Sequence, residues 1–372
     1  MNIFFVNDTT AWYHWGCTGT SSILTERMKQ SFHLIDSLSA KETYAQAWVD
    51  RPDTINGFQD KTVFAAFCKS NPLLIDRIHG ADKIVINGEG TIHGLKYPPL
   101  NLLYLAYISK VFFHKKVEII NHSVFPEDSA PIPDPQARAI YQLVYQNLDY
   151  VAVRESISLN ILNEIQVKAN LTFDCLPLYI KEHYIANPVS TSKNLIFAGT
   201  AAWSEFNAKA MADYLRWMAR QGCQVILLTG SNETHSDDSK MMTYPSDVEA
   251  VKFFEHELHD VPWELIDAKS MTEWLDVIAN AELLVSGRFH HTIAAICLGR
   301  PFVVLNSNTP KIDGCMKVCG LPAALQYRDP DLYANLVTRT EGVLADSNKD
   351  ENNLLFSRLC EMAENNFISL AG

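Results

Sequence analysis

The stretch Leu284-Val285-Ser286-Gly287-Arg288-Phe289-His290-His291-Thr292-Ile293-Ala294-Ala295-Ile296-Cys297-Leu298-Gly299-Arg300-Pro301-Phe302-Val303-Val304-Leu305 decides the fold. It reads as a buried strand, a short polar turn, a small-residue helix, Gly-Arg-Pro punctuation and a second buried strand. That order is a βαβ unit, which needs parallel strands and gathers ligands at their carboxyl ends. Ser286, Arg288, His290 and His291 fall where strand gives way to helix. Unpaired amides and the positive end of the helix dipole already favour an anion there. A guanidinium and imidazoles added to that turn predict an anionic substrate.

The same alternation extends outward in both directions. Between a linker-like Ala186–Lys193 and the quoted stretch, strands are predicted at 194–198, 224–228 and 263–266, with helices at 205–221, 247–258 and 271–279. Thr229-Gly230-Ser231-Asn232 close the second of these strands, and a polar loop runs to about 246. Upstream, an apolar run at 2–6 ends in Asn7-Asp8-Thr9. A Gly-bearing loop (residues 12–21) and a helix at 23–32 follow. A polar segment over 40–60 leads to helices at 61–69, 72–79, 99–112 and 134–146. Strands are predicted at 84–87, 117–121, 150–153 and 171–176. Two such runs separated by a linker predict an α/β protein of two Rossmann-like domains facing a cleft. The boundaries expected are 1–185, 186–330 and a C-terminal helical segment, 331–372, with room to pack back on the first domain.

Composition narrows the function. With 372 residues the chain exceeds one ordinary core, and 47% hydrophobic with 20% charged residues is the balance of a soluble globular protein. A formal net charge of −12 argues against nucleic-acid partners, whose phosphates are held mainly by Lys and Arg. The eight cysteines are scattered, and Cys315-x-x-x-Cys319 has no matching Cys or His pair, so neither a disulfide framework nor a zinc site is expected. The N-terminal apolar run is too short for a secretory signal, and no run of about 18 apolar residues occurs. The 102–113 segment, broken by Ser109-Lys110, reads as a buried helix. A cytoplasmic location is expected.

Strand ends supply the candidate site: Asp8, Glu89, Asn121, Arg154 and Asp174 in the first half, and Thr229, Gly230, Ser286, Arg288, His290 and His291 in the second. Paired arginines suit carboxylate or phosphate oxygens, and a His carries protons near neutral pH. Each has a plainer alternative. Glu89 either faces a ligand or caps a helix, Arg154 either binds or pairs with an acidic neighbour, and the 12–21 loop either contacts a ligand or plugs the fold with aromatics. The plainer alternative for the Arg-Phe-His-His turn, a structural helix start, is the weaker one where Ser, Arg and two His coincide. No H-E-x-x-H, P-loop or G-x-S-x-G string occurs, so no metal is required, and metal dependence through Asp or Glu stays open.

Ser286-Gly287-Arg288-Phe289-His290, Val153-Arg154-Glu155-x-x-Ser158, the Gly-Glu-Gly after the 84–87 strand and Asp174 together resemble the polysaccharide pyruvyl transferase family, in order, from Asn7 to about Asn306. The resemblance implies a GT-B-like fold and transfer of a ketal-forming pyruvyl group from phosphoenolpyruvate to a sugar of a cell-surface polysaccharide or its precursor. It implies catalytic roles for Arg288, His290 and Arg154, with the acceptor on the first domain and the donor on the second. No cofactor beyond the donor substrate is implied, and the acceptor is a sugar or glycolipid, with peripheral contact to a membrane-borne acceptor left open. The expected chemistry has Arg288 and Arg154 holding phosphate and carboxylate, His290 deprotonating the sugar hydroxyl, and His291 orienting either His290 or the leaving phosphate. Glu89 or Asp8 are candidates to protonate the methylene. Two departures stand out: the family's Asn-x-Gly-Asp loop is here Asn7-Asp8-Thr9, and Glu89 sits where many relatives have glycine. A nucleotide-sugar glycosyltransferase, with Thr229-Gly230-Ser231 or Glu89 on the nucleotide, and a non-catalytic binding subunit are the competing readings.

Overall fold

The computed structural model describes residues 1–12, 14–44, 48–128, 132–186, 193–200, 208–229, 245–345 and 349–370. Gly230, most of the linker-like segment and the polar loop that follows Gly230 lie outside these residues. The chain forms two compact units: Met1–Ala11, Thr20–Cys175 and Glu361–Gly372 make the first, and Trp12–Gly19 with Leu176–Cys360 make the second.

The first unit is built on six strands, β1 (Asn2–Asp8), β2 (His33–Ser39), β3 (Lys83–Glu89), β4 (Lys116–His122), β5 (Tyr150–Val153) and β6 (Asn170–Leu171). They lie in the order β2-β1-β3-β4-β5-β6, and every pair is parallel. All seven residues of β3 are buried, as a parallel strand covered on both faces requires. The chain leaves β1 toward one side and returns through β3 on the other, so the topological switch lies between these two strands. The helix Tyr97–Val111 is buried from Pro99 to Ser109, which accounts for its apolar run without any membrane.

Three expectations change here. The edge strand β2 went unread because Asp36, Ser37 and Ser39 interrupt its apolar residues, as an edge strand permits. The strand expected at 171–176 contracts to β6, because Phe173 O and the Thr172 hydroxyl turn instead to the side chain of Asn366. The loop expected over 12–21 is mostly helix, running Trp15–Ser31. Its glycines serve packing: a Cβ on Gly19 would meet Met271 at 2.6 Å, and one on Gly16 would meet the His290 Cβ at 2.2 Å.

Residues after the helix Lys349–Glu364 complete the first unit. A 3-10 helix, Asn365–Leu370, caps its sheet. Asn366 accepts the Asn121 amide at 2.9 Å and the Thr172 hydroxyl at 3.1 Å, and donates to Phe173 O at 2.8 Å. Lys83 and Glu118 form a buried ion pair at 2.7 Å, sealed by the Ser369 carbonyl on Lys83 and the Ser369 hydroxyl on Glu118.

The second unit carries β7 (Asn194–Thr200), β8 (Gln224–Thr229), β9 (Trp263–Asp267), β10 (Leu283–Gly287) and β11 (Phe302–Val304). Their order is β11-β10-β7-β8-β9, again entirely parallel, with the switch between β7 and β10. The stretch that opened the sequence reading is thus the strand–helix–strand at that switch, with the helix Phe289–Cys297 between β10 and β11. Separate apolar cores underlie the two sheets.

Candidate active site

In the first unit the strand ends make a closed polar network. Asn7, Glu89 and Asn121 end or nearly end β1, β3 and β4, and all three hold left-handed backbone, with φ of 63°, 46° and 51°. Such strain persists where the surroundings over-determine it, and it collects at functional sites. Here the surroundings are visible. Asn7 donates to Asn87 O at 2.7 Å, Asn121 donates to the Asn87 side chain at 2.9 Å, and Asn121 Oδ1 accepts the Cys175 amide.

Arg154 lies at the centre of this network, 1% exposed. Its Nη1 donates to Asp174 Oδ2 at 2.8 Å and lies 3.5 Å from Glu89 Oε2, while its Nε donates to Ser123 Oγ. Glu89, 4% exposed, also accepts the Thr9 hydroxyl at 3.0 Å, and Thr20 donates to Asp174. Two carboxylates therefore meet one guanidinium. The rest of the Val-Arg-Glu-x-x-Ser string is scaffold: Glu155 caps the helix Ser156–Glu164, and Ser158 Oγ accepts the Val124 amide. Asp8 is only half-buried and accepts the Thr10 amide at 2.9 Å.

The second unit's switch is built on Arg288 and His290. Arg288, 9% exposed, is the residue that caps the helix Phe289–Cys297, so its guanidinium stems from the positive end of that helix. Ser286 Oγ accepts the Arg288 amide at 3.0 Å and Thr292 donates to Arg288 O, which fixes the turn. His290 packs on the first turn of the helix Trp15–Ser31, with Cys17 Sγ 3.8 Å from its Nδ1. Trp15 anchors that turn by donating to Ala268 O at 2.8 Å.

His291, 4% exposed, points into the core and accepts the Trp274 indole N–H on Nε2 at 3.0 Å. The indole can only donate, so that nitrogen carries no proton. Burial, then the charges of Arg288 and His290, hold the ring well below the usual histidine range. His291 is accordingly a core residue that fixes the helix bearing His290. Thr229 likewise faces its neighbour strand, donating to Asp267 at 2.8 Å. Ser286 shapes the turn through its hydroxyl.

The structure brings Glu89, Asn121, Arg154 and Asp174 into one network, and gathers Ser286, Arg288, His290 and His291 at the other switch. Sequence reasoning did not single out Thr9 and Ser123, and it took Gly16, Cys17 and Thr20 only as part of the 12–21 loop, read as ligand contact or plug. The recurrence of Asn at positions 7, 87 and 121, each at or near a strand end, was the available signal for the first group.

Two parallel α/β sheets with polar switch points define the class of fold, GT-B-like. UDP-GlcNAc 2-epimerase from Methanocaldococcus jannaschii superposes with a TM-score of 0.59 at 12% identity, covering 100% of both chains. The α,α-trehalose 6-phosphate synthase from Burkholderia multivorans does so with a TM-score of 0.59 at 11% identity, covering 100% of this chain and 96% of its own. Identity this low speaks for the fold alone. Among the curated proteins none matches the sequence. Residues 6–309 match the polysaccharide pyruvyl transferase family, and the chain belongs to it. It is a transferase. Among the described residues no helix is long and apolar enough to cross a membrane.

Proposed function

We propose that this transferase takes the pyruvyl group from phosphoenolpyruvate and places it as a ketal on a sugar of a cell-surface polysaccharide or its precursor. The observation that carries the reading is the division of charge between the two switches. Arg288 and His290 at a helix N-terminus suit a small dianion, whereas Arg154, matched by two carboxylates, leaves a network suited to neutral hydroxyls. The donor is assigned to the second unit and the acceptor to the first.

In this reading Arg288 holds the donor's phosphate or carboxylate, with the helix amides assisting. His290 takes the proton from the attacking hydroxyl, a role that contributes about 10²–10⁴-fold. The methylene carbon gains a proton, the hydroxyl oxygen bonds to the adjacent carbon, and phosphate leaves when a second hydroxyl closes the ketal. Arg154 positions Glu89 and Asp174 rather than gripping the donor. Glu89 is the candidate to protonate the methylene or to bind an acceptor hydroxyl. No cofactor enters the scheme.

Donor binding tests the reading. Phosphoenolpyruvate is expected to raise the melting temperature, Arg288→Ala is expected to remove that shift, and UDP-sugars are expected to leave it unchanged. Stabilisation by UDP-sugars and not by phosphoenolpyruvate would replace this reading with a nucleotide-sugar glycosyltransferase.

A further inference from the structure

Beyond the Arg154 network, the first unit holds a second arrangement of titratable groups at the carboxyl edge of its sheet. His93 follows β3 by four residues and Asp128 follows β4 by six. The two loops that carry them are zipped by their backbones. Ser123 N donates to Glu89 O at 2.8 Å, Phe125 N to Ile92 O at 3.1 Å, and Gly94 N to Phe125 O at 2.9 Å. Tyr141 adds its hydroxyl to Gly94 O at 2.9 Å. The parallel ladder of β3 and β4 thus continues past the strands and sets one loop against the other.

On that platform His93 Nδ1 lies 2.8 Å from Asp128 Oδ1, and Lys96 donates to Asp128 Oδ2 at 3.0 Å. Asp128 holds left-handed backbone, φ 58°, with Gly94 close against it: a Cβ on Gly94 would stand 3.3 Å from the Asp128 Cβ. Burial works to raise the Asp128 carboxyl, but the hydrogen bonds and charges of Lys96 and His93 outweigh it and hold the group below its ordinary value. An ionised carboxylate only accepts, so Nδ1 carries the proton and Nε2 is the nitrogen that exchanges one. A carboxylate that fixes tautomer and ring orientation in this way is the arrangement of a general base. His93 is partly exposed, at 23% of its side chain.

We infer that His93, oriented by Asp128, is a general base for an acceptor hydroxyl in the first unit. The inference rests on the ketal-forming reading, which consumes two hydroxyl protons for each pyruvyl group transferred. The proton passes from the sugar O–H to Nε2, the oxygen's electron pair forms the bond to the pyruvyl carbon, and the proton then goes to the departing phosphate. No other reactant is needed. Asp128 acts through His93 and is a positioning residue.

The test uses the full chain with phosphoenolpyruvate and methyl glycosides of galactose, glucose and mannose, following ketal by mass and phosphate release by colour. His93→Gln is expected to lower kcat by about 100-fold or more, and Asp128→Asn by about 10-fold or more, with the thermal shift from phosphoenolpyruvate unchanged. Free imidazole is expected to restore part of the activity of His93→Gly. Turnover of His93→Gln within two-fold of the unmodified chain overturns the assignment, as does loss of the phosphoenolpyruvate shift together with turnover, which marks a structural role. Absence of ketal from the unmodified chain with all three glycosides overturns the ketal-forming reading and this inference with it.

Discussion

The two sheets share a topology rule and differ in what they place at the switch. In the first unit the strand ends are closed on themselves: Arg154 binds Asp174 and Glu89, Asn121 binds Asn87 and Cys175, and Asn366 seals the edge. In the second unit Arg288 and His290 stand at the start of one helix, on a turn formed by Ser286 and Thr292. The difference teaches that the same guanidinium group serves two ends. An arginine between carboxylates holds a scaffold, while one at a positive helix end is, in the proposed reading, the place for an anion.

Mutations separate the two roles, and His290→Ala gives the largest expected effect. Transfer is expected to fall by about 10²–10⁴-fold, measured as phosphate release, with the melting temperature unchanged. Turnover near that of the unmodified chain would remove His290 from the chemistry. Arg154→Ala reverses the pattern by leaving two buried carboxylates uncompensated. Its expected cost is about 3–5 kcal/mol of stability, read from urea unfolding, while Arg288→Ala is expected to leave unfolding nearly unchanged. Equal destabilisation by the two would erase the contrast.

Gly16→Ala sharpens the comparison on the second unit's side. Alanine gains up to about 1 kcal/mol over glycine within a helix and less in a first turn such as this one, but here its Cβ would overlap the His290 Cβ. Overpacking of this kind costs about 1–3 kcal/mol, so the net expectation is mild destabilisation with a displaced His290 and reduced turnover. A stabilised, fully active variant would show that His290 has room to move.

Acid titration gives the smallest separation, because both units bury a neutral histidine. His122 donates from Nδ1 to Ala152 O and accepts the Tyr145 hydroxyl on Nε2. Burial, opposed in part by the Ala152 bond and aided by Arg154, pushes its pKa down to about 3. The unfolded ring titrates near about 6.5, so below that pH the unfolded chain binds a proton the folded chain refuses. The contribution is complete above about pH 6.5 and declines toward pH 3, and His291 adds to it with the same sign. Melting temperatures are expected to fall steadily from pH 7 to pH 4, with a shallower fall for His122→Gln. A flat profile would mean that both rings titrate in the folded chain as they do in the unfolded one.

Much of this was legible in the residues. Apolar runs ending in polar punctuation gave β1, β3, β4, β5 and the whole second sheet, and Gly287-Arg288-Phe289-His290 announced the switch between β7 and β10. Arg154 was legible as a strand-end residue, but its partnership with Asp174 was not, because twenty positions of intervening chain hide it. Gly16 invited a phosphate-loop reading because a glycine needed for close packing and one needed for a ligand look alike in sequence. His291 looked like the twin of His290; only helix rotation, which sends one ring to Trp274 and the other to Cys17, tells them apart.

The seal made by Asn366 and Ser369 bears on how the protein is born. Translation delivers β1 to β6 early, yet the residues that satisfy Asn121, Thr172 and the Lys83–Glu118 pair emerge only after the entire second sheet. During that interval the nascent first sheet carries open backbone groups and an uncovered charge pair, so the first unit takes its final contacts after the part of the chain that follows it.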